Sequence, residues 1–320
     1  MKEFDELVKL EKVLERIEPF GSVEKLATVD HGGQTFPIYG LRIGAAEKRL
    51  PTFGLFGGVH GLEKIGSQLV TAYIDYLANQ LSWDASLVDL FQKSRLVSIP
   101  MVNPVGVYFN RRSNGNGVDI MRNGPIDAEV VPEKPSLVSG HGIGPWLPWY
   151  RGRDEMEVET QTLTDFVRRE LFASEMSLSL DIHSGFGFRD RLWYPYSKSK
   201  EKFPLFDQAI DFKKLLKKSI PYHVYKVEQQ SDSYLIQGDP WDYLFEEHYS
   251  VNQGKSIYIP WTLEMGSWLW VRKNPKQLLS YKGIFNPMVP HRFNRVMRRH
   301  RPLLELFQKA VFNNRSWSVV

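Results

Sequence analysis

Apolar positions along the chain keep two different rhythms. Leu7, Leu10, Val13, Leu14 and Ile17 recur every three or four residues and predict an amphipathic helix over residues 3–18. Two β-like runs follow, at 26–29 and 36–43, with a Gly-Gly turn between them. Residues 52–59 are apolar and run into Gly57-Gly58, the pattern of a buried strand feeding a tight turn. Helical spacing returns over 62–81, and 95–102 reads as a second core strand closing on Asn103-Pro104. Residues 103–153 are rich in Gly, Pro and Asn with little periodicity, and a loop of that length in a compact domain is usually functional. Beyond it the pattern predicts a helix at 155–172, a core strand at 178–182 and a helix at 203–218. A strand at 223–227, a short helix at 241–248, a strand at 257–263 and a long basic helix at 292–312 complete the series. Strands interleaved with helices argue for an α/β fold with a mostly parallel or mixed sheet, whose sites gather at the carboxyl ends of strands. No repeat, low-complexity tract or linker interrupts the series, so residues 1–320 are expected to form one domain.

Composition narrows the chemistry. With no cysteine, thiolate metal sites, disulfides and a cysteine nucleophile are excluded, so any metal must be held by His, Asp or Glu. Aromatic residues make up 13% of the chain, nine of them Trp, enough for an aromatic-lined pocket. The net charge of +4 is mild for 320 residues and does not point to nucleic acid. The basic run at His291-Arg292, Arg295 and Arg298-Arg299-His300-Arg301 reads as a solvated helix face, so no nucleic-acid partner is expected. The first 20 residues have no apolar signal-like core and no segment approaches 18 apolar residues. The expectation is a cytoplasmic protein with no membrane partner; the oligomeric state stays open.

Three local motifs carry chemistry. In Gly57-Gly58-Val59-His60-Gly61-Leu62-Glu63, a strand ends, two glycines turn the chain, and His and Glu follow three apart, able to aim at one point. In Ser179-Leu180-Asp181-Ile182-His183-Ser184-Gly185, a His sits just past an apolar strand, with Asp181 near enough to orient it. In Thr262-Leu263-Glu264-Met265-Gly266, a carboxylate follows another apolar strand, and partial burial there would raise its pKa towards general-base values. Each motif alone has a plain alternative: a surface pair, a core histidine, a strand-end carboxylate. Together they supply the minimum set for a catalytic zinc with an open position.

The ordered set His60-x-x-Glu63, Asn103-Pro104-x-Gly106, Arg112, Gly117-Val118-Asp119-Ile120-Met121-Arg122-Asn123, His183 and Glu264 resembles the zinc carboxypeptidase family over about residues 24–270. The Gly-Gly-x-His-Gly-x-Glu wording is also similar to the aspartoacylase and succinylglutamate desuccinylase branch of the same superfamily. The resemblance implies a mixed, mostly parallel eight-stranded sheet with helices on both faces. It implies one Zn2+ per chain, bound by His60, Glu63 and His183, with Glu264 as general base to metal-activated water. Arg112 would polarise the scissile carbonyl, with Arg111 as the alternative if the loop register shifts by one. Arg122 would grip a terminal carboxylate and Tyr234 would close over the substrate. Asp239 and Asp242 lie where the family shapes its specificity pocket, which would suit a basic side chain. Met121 stands where relatives usually carry Asn, and a thioether cannot donate a hydrogen bond to a carboxylate. The expected activity is hydrolysis of a C-terminal peptide bond. The alternatives are an N-acyl amino acid deacylase, or a non-catalytic zinc or peptide-binding homologue.

Overall fold

Among the described residues, eight strands hydrogen-bond into one sheet: β1 (Gly21–His31), β2 (Gln34–Gly44), β3 (Thr52–Gly57), β4 (Arg95–Ile99), β5 (Met176–Ser184), β6 (Arg191–Tyr194), β7 (Lys226–Gln229) and β8 (Ile257–Met265). Their order across the sheet is β1-β2-β4-β3-β5-β8-β6-β7. The computed structural model describes residues 3–129, 137–153, 155–185 and 187–318. Pairs β3–β4, β3–β5, β5–β8 and β6–β7 are parallel, while β1–β2, β2–β4 and β6–β8 are antiparallel. This is the mixed, mostly parallel eight-stranded sheet that the motifs imply.

The central strands β3, β4 and β5 are buried along their whole length, because helices cover both sides. The helices are α1 (Asp5–Ile17), α2 (Lys64–Leu81), α3 (Ala85–Gln92), α4 (Pro104–Phe109), α5 (Val158–Leu171), α6 (Phe206–Ser219), α7 (Pro240–Asn252), α8 (Trp268–Lys273), α9 (Tyr281–Phe285) and α10 (Pro290–Phe312). On one face Leu178, Leu180, Ile182, Ile259, Trp261 and Leu263 join a core with residues of α1, α2, α6 and α10. On the other, Phe56, Val97 and Tyr258 pack with Leu163 and Phe166 of α5 and Trp241 and Leu244 of α7. Side chains alternate along a strand, so Asp181, His183, Thr262 and Glu264 share the α5/α7 face.

The structure moves several expected boundaries. β5 and β8 each run two residues beyond their apolar stretch, so His183 and Glu264 lie inside the paired strands and not just past them. The strand expected at 223–227 is observed at Lys226–Gln229. β6, α3, α8 and α9 are additions to the expected series. Within 103–153, α4 and two short 3-10 turns at Ile120–Arg122 and Leu137–Ser139 replace what read as plain loop. The expected loop also includes residues 130–136, which lie outside the described residues.

Candidate metal centre and cleft

Two glycines let the ligand-bearing segments meet. A Cβ on Gly61 would sit 1.9 Å from the Gly106 carbonyl carbon, so only glycine lets the His60 turn lie against α4. A Cβ on Gly66 would sit 2.3 Å from the Ile182 carbonyl oxygen, so the same logic lets α2 press onto β5. Glu63 stands at the N-cap of α2 and is thereby carried to His183. His183 and Glu264 are direct partners in the parallel β5–β8 register, which sets them side by side.

His60, Glu63 and His183 converge, all three buried. The His60 Nδ1 to Glu63 Oε1 distance is 3.0 Å, His60 Nδ1 to His183 Nδ1 is 3.1 Å, and His183 Nδ1 to Glu63 Oε2 is 3.2 Å. Each imidazole has its other nitrogen committed. His60 Nε2 lies 2.9 Å from Asp119 Oδ1, and His183 Nε2 lies 2.6 Å from Asp181 Oδ2. A carboxylate accepts only, so both Nε2 atoms carry a hydrogen, and each Nδ1, facing Glu63, either carries a second proton that Glu63 accepts or offers its lone pair to a cation. With both imidazoles neutral, two lone pairs and a carboxylate face one point, an arrangement that a cation there would satisfy. Tetrahedral Zn–N bonds of 2.0–2.1 Å place donor atoms about 3.3 Å apart, close to the spacing seen. The donor set therefore fits a divalent ion of zinc's preference.

The electrostatics agree. Burial would raise the Glu63 carboxyl, but the charge on His60 and hydrogen bonds from both histidines outweigh it and hold Glu63 well below the usual carboxylate range. Burial would lower His183, but Asp181 and Glu63 hold it well above the usual imidazole value. The negative field that would draw a proton here also draws a cation. Asp119 is held down by Arg112, His60 and Arg122 against its own burial.

Around this cluster lies a cleft enclosing ≈ 280 Å³, at the small end for ligand sites. Glu264 lines it beside the ligands, and so do Arg112, Arg122, Met121 and Tyr234. The Arg112 Nε donates to Asp119 Oδ2 at 2.8 Å and its Nη1 to Glu63 Oε1 at 3.4 Å, which fixes the guanidinium next to the candidate metal ligands. Arg122 is almost wholly buried and donates to the carbonyls of Met121 and Val138, with N–H capacity left over. Tyr234 meets Trp193 edge-on, with ring centroids 6.1 Å apart, and burial raises its hydroxyl. Val138, Pro148 and Trp149, from the expected functional loop, form one wall.

Two expectations are corrected. Arg111 is exposed and lies over the Phe109 ring, outside the cleft, so the register is the one that brings in Arg112. Asp239 and Asp242 do not line the cleft: Asp239 caps α7, and Asp242 accepts from the backbone and hydroxyl of Ser197 and from the Lys198 backbone. Some contributors had no assigned part in the sequence reading. Asp119 lay within a quoted motif, but only the fold shows its 2.9 Å contact with His60. Trp149 and Gln230 line the cleft without any local motif to flag them, and Thr262 lines it from within the Glu264 motif, where it was given no part.

The family model for zinc carboxypeptidase matches residues 21–266. The chain belongs to the zinc carboxypeptidase family of metallopeptidases. Among curated relatives, carboxypeptidase D of Anas platyrhynchos is 28% identical over 146 residues, covering 41% of this chain but 10% of that protein. Bovine thrombin-activatable fibrinolysis inhibitor, solved in complex with tick carboxypeptidase inhibitor, superposes with a TM-score of 0.69 at 15% identity and 98% coverage of both chains. The carboxypeptidase A of Helicoverpa armigera gives 0.68 at 17% identity, covering 95% of this chain and 71% of its own. At such identities these structures establish the fold. Among the described residues, no helix is long and apolar enough to cross a membrane.

Proposed function

We propose that this chain is a zinc metallocarboxypeptidase, cleaving the C-terminal amide bond of a peptide. The observation that carries the reading is the meeting of donor atoms from three buried residues, 3.0–3.2 Å apart, beside a second acid, Glu264. One zinc per chain, held by His60, Glu63 and His183, would supply a Lewis acid that makes water nucleophilic near neutral pH. Glu264 takes a proton from the attacking water and returns it to the leaving nitrogen. Arg112, anchored by Asp119, donates to the oxygen on which charge develops. Arg122 offers its remaining N–H groups to the substrate's terminal carboxylate, and Tyr234 covers the bound residue. With Asp239 and Asp242 turned away, and Trp193, Ile236, Gln230 and Thr262 lining the cleft, the reading favours an uncharged terminal side chain over a basic one.

Glu264→Gln tests it: hydrolysis across a panel of short peptides should fall at least 10²-fold while zinc content is unchanged. Activity within a few-fold of wild type would remove Glu264 from the role. A second reading, deacylation of an N-acyl amino acid, is favoured by the small cleft and by the Met121 thioether lining it. Faster turnover of N-acyl amino acids than of any peptide would select it.

A further inference from the structure

The family match ends at residue 266, yet the stretch beyond it reaches back to the metal centre. Glu63 occupies the N-cap of α2 without capping it, because its carboxylate points at the two histidines. The first N–H groups of a helix need a partner from somewhere. Asn286, at the end of α9 and buried, provides one from more than 220 residues away. Its Oδ1 accepts from the Ile65 backbone N–H at 3.0 Å, and its Nδ2 donates to the Leu62 carbonyl at 2.8 Å. It thus brackets Glu63 from both sides. Gln277 donates to the Asn286 carbonyl at 3.0 Å and to Gly283 at 2.7 Å, which holds α9 in place. The preceding residue serves the other ligand segment. The Phe285 carbonyl accepts from the Ser184 hydroxyl at 2.7 Å, and the Ser184 N–H donates to Glu63 Oε2 at 2.9 Å. The Phe285 ring lies so near Gly185 that a Cβ there would stand 2.6 Å from it.

We propose that Phe285-Asn286 is a two-residue buttress that positions both metal-binding segments, with Asn286 acting as the cap that frees Glu63 to be a ligand. The proposal rests on the metal reading above. Asn286 lies outside the cleft and acts through Glu63; Phe285 lines the cleft, and its carbonyl acts through Ser184 on the His183 segment. Outer partners of metal ligands commonly change metal affinity by 10–100-fold, and that is the expected scale here.

The test is zinc affinity of the full chain after metal removal, measured by competition with a chromophoric chelator. Asn286→Ala should weaken zinc binding 10–100-fold. Asn286→Asp, which keeps the acceptor for Ile65 but loses the donor to Leu62, should fall between. Ser184→Ala should weaken binding through the other arm. Leu279→Ala, on the same stretch but 90% exposed, should leave affinity unchanged. Affinities within twofold of wild type for both Asn286 variants would overturn the proposal, even if their melting temperatures fell. If Asn286→Ala does not fold, the Asp and Ser184 variants decide the matter in the same way. If wild type binds no zinc, the functional reading fails by itself. Amide exchange over residues 62–66 of the metal-free protein then tests the buttress. Faster exchange in Asn286→Asp supports it, and unchanged exchange overturns it.

Discussion

At the residue scale, a carboxylate fixes the tautomer of each candidate ligand histidine. Asp181 is itself pinned, since Trp241 Nε1 donates to the same Oδ2 that holds His183, at 2.9 Å. Asp181→Asn should therefore loosen the tautomer and orientation of His183 and cost 10–100-fold in zinc affinity, read by chelator competition. An unchanged affinity would show that strand geometry alone orients the ring. Asp181 was legible in the sequence because it lies two residues from His183, hence on the same strand face. The pairing of Asp119 with His60 was not, since 59 residues separate them and only the packing of the Ile120–Arg122 turn brings them together. The choice between Arg111 and Arg112 likewise depended on where one short helix ends. Asn110, in the left-handed region at φ 55°, closes α4 and sets which arginine faces the cleft.

At the scale of elements, the site is a consequence of β-sheet register. His183 faces Glu264 and Asp181 faces Thr262 across the parallel β5–β8 pair, so one strand's ligand and the next strand's acid share a row. The strands themselves were legible, because central parallel strands read as continuous apolar runs. His183 and Glu264 were legible as residues but were placed just past their strands, because a polar side chain ends an apolar run even where its backbone stays paired. The four-residue β6 was invisible because its pairing with β7 and β8, not its sequence, makes it a strand. The sheet is also tied to α5 by a buried ion pair: Arg95, at the start of β4 and wholly buried, bonds the Glu170 carboxylate and its carbonyl. Glu170→Ala would strand that guanidinium and should cost ~3–5 kcal/mol in urea unfolding. A loss under about 1 kcal/mol would mean that water or the Glu170 backbone satisfies Arg95.

For the whole molecule, the fold class followed from alternating strands and helices, while the C-terminal stretch that reaches back to Glu63 carries no motif and had to be seen. Two buried histidines outside the cleft lining set an acid limit. Burial lowers both His248 and His300 to about 4, and the Tyr225 hydroxyl and His300 Nδ1 share a hydrogen bond of 2.9 Å. The unfolded chain takes up these protons near pH 6.5 but the folded chain only near 4, so each histidine's stabilisation is present above 6.5 and is lost as pH falls towards 4, worth roughly 3 kcal/mol each at most. Asp242 opposes this trend: burial and the neighbouring Asp239 raise it from 3.8 to about 7, so its stabilisation is full below 3.8 and is lost as pH rises to about 7. Across urea midpoints from pH 8 to 4, His300→Gln should lose less stability on the acid side than the wild type does. An identical slope would mean that His300 titrates normally. The central claim is the metal centre, and metal analysis of the purified chain and of His183→Ala tests it most directly. One zinc per wild-type chain, with the variant nearly empty, is the result expected; no zinc in wild type, or equal zinc in both, would contradict it.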